Sequence, residues 1–125
     1  MARVLVLEQP SPGNIDLSPA SRFGELVYLL DRKVDRVSAF DTARYEQLIR
    51  ERLCDVGFNP ASDVVCLAGK ILGVAVLCAT LARIYGPFQA LMFDAHETKY
   101  VKRVIGERIN GRNPEFTDTE APAAR

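Results

Sequence analysis

The chain is short of the residues that catalysis and metal binding commonly use. It has one His, three Cys and no Trp among 125 residues. No two cysteines form a C-x-x-C pair, which leaves a zinc knuckle or a thioredoxin-type redox site without support. No serine lies in a G-x-S-x-G nucleophile elbow. We therefore expect no metal, no cofactor and no catalytic residue, and the sequence favours a binding protein over an enzyme.

The three cysteines, Cys54, Cys66 and Cys78, lie inside apolar segments. An odd number of cysteines in such surroundings is typical of reduced thiols that pack as small hydrophobic groups. We expect them to be buried and unreactive, because an apolar environment raises the pKa of a thiol.

Long apolar runs and an excess of charge of one sign are also absent. The longest apolar run, 71–82, is shorter than the ~20 residues that cross a bilayer. The N-terminus opens into a strand-like segment, so we expect no secretory leader. Sixteen basic residues balance sixteen acidic ones, which argues against a strongly basic nucleic-acid-binding protein. We expect a cytoplasmic protein that does not associate with membranes.

The composition that is present belongs to a globular domain. Apolar residues make up 48% of the chain, and its length allows a core that needs no disulfide. Residues 1–112 are predicted to form a single α/β domain. Residues 113–125, where the apolar periodicity decays, are predicted to be a flexible tail.

Apolar periodicity predicts five strands and two helices in the order β-β-α-β-α-β-β. Helices that connect strands imply right-handed crossovers and a mostly parallel sheet, with the last two strands as a C-terminal antiparallel hairpin. The Pro- and Ser-rich segment 9–22 is predicted to be a surface loop. Helix 70–85 is apolar on nearly all sides, which predicts a buried helix. The predicted strands are 3–8, 24–30, 63–68, 88–94 and 99–105, and the other predicted helix is 42–56, capped by Asp41 or Thr42 and ended by Gly57.

The carboxyl edge of this sheet is the expected ligand site, because open α/β sheets bind ligands there. Gly69 turns the third strand into a helix, and Lys70 adds a positive charge beside free backbone N–H groups, although no Walker A or G-x-G-x-x-G motif is present. Gln9 and Asp94 follow or end strands at the same edge. Gln9, Gly69, Lys70 and Asp94 are therefore predicted to bind an anionic or nucleotide-like ligand. The alternative is that Gly69 and Gly73 only let the helix approach the sheet closely, while Lys70 is solvated.

The predicted hairpin loop contains Asp94, His96 and Glu97, a set that can bind a metal or act in acid–base chemistry. Such a loop is exposed, and one His with two carboxylates offers few ligands. A solvated turn explains the loop better. Enzymatic use of Asp94 or His96 would need groups from a second chain across a dimer interface.

A second surface is predicted to engage a macromolecule. Arg22 and Phe23 stand beside a Gly near the end of the first loop, and Lys99, Lys102 and Arg103 make the last strand basic. A host protein fits zero net charge better than nucleic acid, whose non-specific affinity depends on neutralising phosphates. The alternative is that the charges only prevent sheet-to-sheet aggregation and that Phe23 packs in a loop. Exposed edge strands also make a homodimer an expected assembly.

Three segments resemble small accessory proteins of tailed bacteriophages: LSPASRFGELVYLL, DVVCLAG followed by an apolar helix, and FQALMFDAHETKYVKRVI. The resemblance covers roughly residues 3–105 and supplies no catalytic residue. It implies a phage accessory protein acting in the cytoplasm of a bacterial host, for example on host defence. With the site above, the sequence predicts a non-catalytic protein that binds a nucleotide-like or anionic ligand. The alternative is a module that engages a host protein through its basic C-terminal strand.

Overall fold

Apolar strands alternate with helices along the part of the chain that the computed structural model describes, residues 2–9, 16–31, 35–38 and 40–107. Strands β1 (Arg3–Glu8), β2 (Glu25–Leu30), β3 (Val64–Cys66), β4 (Phe88–Asp94) and β5 (Lys99–Ile105) form one sheet. Helices α1 (Thr42–Val56) and α2 (Ile71–Tyr85) flank it, together with the short 3₁₀-helix η1 (Ser18–Phe23). The predicted tail, 113–125, lies outside the described residues.

The strands lie in the order β2-β1-β3-β4-β5. β1 pairs in parallel with β2 and β3, β3 pairs in parallel with β4, and β5 is antiparallel to β4. β3 is shorter than predicted because the backbone turns after Cys66, where the Ala68 amide donates to the Cys66 carbonyl at 2.9 Å. The prediction of a small α/β domain with a mostly parallel sheet and a C-terminal antiparallel hairpin is confirmed.

The direction of each connection decides which face of the sheet it covers. In the sheet, β2 lies on one side of β1, whereas β3 and then β4 lie on its other side. The connection from β1 to β2 therefore crosses the sheet in one direction, and the connections from β2 to β3 and from β3 to β4 cross it in the opposite direction. Right-handed crossovers therefore put η1 on one face, the η1 face, and α1 and α2 on the opposite helix face. The buried core of the helix face includes Leu5, Leu7, Ile49, Leu53, Val65, Leu77, Leu81 and Phe88, and that of the η1 face includes Val4, Val6, Leu17, Ala20, Val64, Cys66, Leu91 and Tyr100.

The segment between β1 and β2 contains a helix that its composition did not indicate. η1 occupies Ser18–Phe23, and Leu17 and Ala20 are buried against the sheet. Their three-residue spacing matches one turn of 3₁₀-helix, so these side chains cover the sheet face that α1 and α2 leave open. The sequence predicts an ordered surface loop here, and the structure differs in forming a short helix whose buried residues pack on the sheet.

α1 begins and ends where its sequence predicts. The Asp41 carboxylate accepts a hydrogen bond from the Arg44 amide at 3.4 Å, which caps the free end of the helix. Gly57 ends α1 in the left-handed conformation, with φ 66° and ψ 51°, as expected of a glycine at this position. Cys54, near the end of α1, is exposed, so the prediction of buried thiols is wrong for this cysteine.

α2 is buried on one side only. The sequence predicts a buried helix, and the structure buries the side of α2 that faces the sheet, since no described residue forms a further layer outside it. The alanines on the outer side leave little apolar surface in water, although Ile71 and Ile84 of the same helix are also exposed. The buried residues are Gly73, Leu77, Thr80 and Leu81, and the exposed ones include Ala75, Ala79 and Ala82.

A buried ion pair joins the starts of β1 and β3 to the end of α1. The Arg3 guanidinium donates to both carboxylate oxygens of Asp63, at 3.3 and 2.8 Å. It also donates to the carbonyls of Val56 and Gly57, at 2.7 and 3.1 Å. Asp63 is 1% exposed and accepts a further hydrogen bond from the Asn59 amide at 2.9 Å. This cluster stabilises the amino edge of the sheet, opposite the edge where a ligand is expected.

Candidate ligand-binding cleft

The crossovers of the sheet diverge between β1 and β3. From β1 the chain turns toward β2, and from β3 it turns toward β4. Such a switch point leaves a crevice at the carboxyl ends of the two strands, where open α/β sheets bind ligands. β1 ends there at Glu8 and β3 at Cys66. The topology therefore leaves a crevice at the predicted ligand edge of the sheet.

A cleft of about 510 Å³ lies beside this switch point, on the η1 face. Small-molecule sites have volumes of roughly 300–1,000 Å³, so the cleft is large enough for a ligand. The η1 region, the turn after β3 and the β4–β5 hairpin each contribute to it. The lining residues are Asp16, Pro19, Leu67, Ala68, Gly69, Phe93, Thr98 and Tyr100.

An aromatic pair forms one wall of the cleft. Phe93 and Tyr100 lie opposite each other in the β4–β5 register. Their rings meet edge to face, with centroids 5.3 Å apart. Tyr100 is buried, whereas 49% of Phe93 remains exposed. Contact with a buried ring holds Phe93 in place and leaves it a surface on which a flat ligand can stack.

Tyr100 and Cys66 lie in the same buried core, and their side chains influence each other's ionisation. Burial raises the pKa of Tyr100 to about 12 and the pKa of Cys66 to about 11. Both groups are therefore neutral at physiological pH. The pair fixes the aromatic wall and supplies no activated nucleophile.

Among the described residues that line the cleft, Asp16 alone carries a charge. Its carboxylate accepts a hydrogen bond from the Ser18 backbone amide at 2.9 Å. This bond lowers the pKa of Asp16, and the Asp16 charge contributes to the raised pKa of Tyr100. Asp16 is therefore ionised at neutral pH. A carboxylate has about four acceptor positions, so Asp16 keeps acceptor capacity toward a ligand.

The hairpin loop holds a strained residue at the cleft. Thr98 has φ 55°, and it alone among the described residues other than glycine has a positive φ, a conformation that a β-branched side chain disfavours. Asp94 fixes this loop, because its carboxylate accepts from the amides of His96 at 3.0 Å and Glu97 at 3.3 Å. Asp94 thus stabilises the turn. No set of three metal-binding side chains comes together within the described ranges.

The four predicted ligand residues lie at one edge of the sheet, and Gly69 is the one that lines the cleft. Gly69 has φ 132°, which favours glycine. Lys70 follows it as an exposed residue at the start of α2, and Gln9 is exposed just after β1. The structure therefore brings one predicted residue into the cleft and leaves Gln9, Lys70 and Asp94 outside its lining.

A comparison with protein families covers nearly all of the described chain. A model of the phage Pam3 gp32-like protein family matches residues 3–106. The chain belongs to this family. The match runs from β1 to just past β5, so it includes the whole cleft, and the predicted resemblance to phage proteins is confirmed. Searches of curated proteins and of solved structures found no match.

The two described α-helices of this family member are short relative to the thickness of a bilayer. None of those in the described ranges is long and apolar enough to cross a membrane. α1 and α2 have 15 residues each, whereas a spanning helix needs about 20.

The predicted partner residues lie on η1 and β5, two elements in contact with each other. Arg22 is exposed, with its guanidinium 5.9 Å from the ring centre of Phe23, and Phe23 is half-buried against the η1-face core. Strand alternation directs Lys99 and Arg103 to the helix face and Lys102 to the η1 face. No described carboxylate forms an ion pair with these three side chains. The edge strand is therefore basic on both faces.

Four residues that line the cleft were not predicted from the sequence: Asp16, Phe93, Thr98 and Tyr100. A four-residue hairpin loop already fixes the register in which Phe93 opposes Tyr100. The aromatic pair at the ligand edge could therefore have been predicted from the sequence. Asp16 offers no comparable signal, because its position depends on how η1 packs against the sheet.

Proposed function

We propose that this member of a phage protein family is a non-catalytic binding protein that takes a nucleotide-like ligand at the carboxyl edge of its sheet. The observation that carries the proposal is the cleft of about 510 Å³ beside the switch point. It combines the accessible ring of Phe93 with the small residues Ala68 and Gly69. A flat ring with a polar substituent suits such a lining.

The charges around the cleft favour a nucleotide over a simple inorganic anion. Inside the cleft, an anion would meet the Asp16 carboxylate, and the lining residues within the described ranges include no cation. Lys70 directly follows the lining residue Gly69 and is exposed. We expect the ring of a nucleotide to enter the cleft and its phosphate to remain at the rim, within reach of Lys70.

Calorimetric titration of the full chain with the four common ribonucleoside monophosphates tests this function. We expect at least one to bind at a single site. Lys70→Ala should weaken its binding about fivefold, because an exposed charge pair contributes ~1 kcal/mol or less. The matching nucleoside, which lacks the phosphate, should bind the wild-type protein and the variant equally.

The control variant is Arg50→Ala, which removes one positive charge from the exposed side of α1, away from the cleft. It should bind the monophosphate as the wild-type protein does. If none of the four compounds produced heat of binding or a thermal shift, the proposed function would be wrong.

The basic edge strand supports a second candidate function, engagement of a host protein. Among the described strands, β5 pairs with β4 alone, so its outer edge can accept an added strand. Lys99, Lys102 and Arg103 would complement an extended acidic segment of the partner. A protein captured from host lysate by the wild-type chain should then be lost from the Lys102→Ala, Arg103→Ala double variant. Equal capture by both proteins would count against this candidate.

A further inference from the structure

We propose that the cleft selects a guanine-type base, stacked on Phe93 and held at its N–H edge by the Asp16 carboxylate. The inference rests on the proposed function, since it names the part of the nucleotide that enters the cleft. It assigns recognition to two residues outside the predicted ligand set. It also fixes an orientation, with the base inside and the phosphate toward Lys70.

The lining of the cleft suits a planar aromatic ring. Phe93 offers a half-exposed ring whose position is fixed by buried Tyr100. Ala68 and Gly69 also line the cleft and contribute at most one methyl group each, so a flat ligand can lie close to the backbone that follows β3. Every base has an aromatic face that stacks on such a ring. Stacking therefore explains affinity, and selection between bases must come from a polar group.

Asp16 is the polar group that can select. Its Oδ1 already accepts from the Ser18 amide, and the carboxylate retains further acceptor positions but has no donor when ionised. Guanine presents two N–H donors side by side, N1–H and the N2 amino group, which match the two oxygens of a carboxylate. Adenine and cytosine present a ring acceptor beside their amino group, and uracil presents one N–H between two carbonyls. Those edges would bring an acceptor against the Asp16 oxygens.

The described lining residues include no lysine or arginine, which supports the same orientation. A phosphate placed beside Asp16 would meet a like charge at close range, and no described lining residue would offset it. A neutral base with donor groups avoids this repulsion and gains charge-assisted hydrogen bonds. The phosphate then lies outside, on the Gly69–Lys70 side.

Calorimetric titration with guanosine, inosine and adenosine tests the inference without a contribution from phosphate. Inosine is the matched probe, because it keeps the guanine ring and N1–H but lacks the 2-amino group. We expect the wild-type protein to bind guanosine about tenfold more tightly than inosine and to bind adenosine more weakly still. Asp16→Asn should abolish the guanosine preference, while its side-chain oxygen can still accept from Ser18 and keep the turn.

Two further variants separate stacking from selection. Phe93→Ala should weaken binding of all three nucleosides about tenfold, as expected when a stacking surface is lost. Glu97→Gln is the control, because it replaces a carboxylate by an amide, as Asp16→Asn does, but in the neighbouring hairpin loop. It should bind the nucleosides as the wild-type protein does. Equal affinity for guanosine and inosine, or a preference that survives in Asp16→Asn, would overturn base selection and leave the proposed function standing. Failure of every nucleoside and nucleotide to bind would overturn both.

Discussion

Asp63→Ala is expected to lower the free energy of unfolding by about 3 kcal/mol. The carboxylate is 1% exposed and accepts hydrogen bonds from Arg3 and from the Asn59 amide. Its removal leaves the half-buried Arg3 guanidinium without its hydrogen-bonded counter-charge. The loss falls at the junction of β1, β3 and α1, so it should destabilise the whole fold rather than one loop.

Urea unfolding of the wild-type protein and the variant measures this loss. The control is Asp55→Ala, which removes a carboxylate that is 68% exposed and lies 3.6 Å from Arg52. An exposed pair of this kind contributes ~0.5 kcal/mol. A loss in Asp63→Ala no larger than in Asp55→Ala would show that the buried pair does not stabilise the sheet as described.

The same carboxylate makes the stability depend on pH. Burial by itself would raise the pKa of Asp63, but hydrogen bonds from Arg3 and from the Asn59 amide outweigh it and bring the pKa below the ordinary value of 3.8. A group whose pKa is lower in the folded state stabilises the fold fully above its unfolded pKa and loses that contribution as the pH falls through its folded pKa. The stability gap between wild-type protein and Asp63→Ala should therefore be smaller at about pH 3 than at about pH 7. An unchanged gap would contradict this assignment.

Gly73→Val is expected to destabilise the fold by about 2–3 kcal/mol, because it overpacks a full interior. A Cβ at Gly73 would lie 2.8 Å from Leu7 Cδ2 and 2.8 Å from the Tyr45 hydroxyl oxygen. Leu7 is fully buried and Tyr45 nearly so, so displacing either side chain disturbs a close-packed interior. These side chains or α2 would have to shift, and the small gain in helix propensity over glycine does not offset that cost.

Thermal unfolding measures this effect, and we expect Tm to fall on the order of 10 °C. Ala75→Val is the matched control, since it adds a β-branched side chain to an exposed position one half-turn away on the same helix. It should change Tm by only a few degrees. Equal decreases in Tm for the two variants would mean that the helix propensity of valine, rather than the close contacts at Gly73, causes the loss of stability.

Local signals in the sequence predict much of the fold. An acidic cap at Asp41 and a glycine at Gly57 define α1 because both act within one helical turn. The β4–β5 register follows from the length of the loop between Asp94 and Lys99. Such features depend on neighbours along the chain, and a sequence displays those neighbours directly.

Features that depend on packing between distant segments were harder to predict. Leu17 and Ala20 pack on the sheet face that α1 and α2 leave uncovered. Which face stays uncovered depends on where both helices pack, and the local sequence does not show this. For the same reason Asp16 could not be assigned to the cleft beforehand. The apolar character of α2 indicated burial, but its outer alanines have no described neighbour to pack against. Gly69 was found because its role is local, in the turn between β3 and α2.

Binding of a nucleotide in the cleft beside the β1–β3 switch point is tested most directly by nuclear magnetic resonance. The isotopically labelled full chain is titrated with guanosine monophosphate, and its amide chemical shifts are followed. We expect saturable shifts concentrated at Asp16, at Leu67–Lys70 and at Phe93–Tyr100, with little change on the exposed side of α1. An unchanged spectrum, or saturable shifts confined to α1 or to the far end of β5, would contradict it.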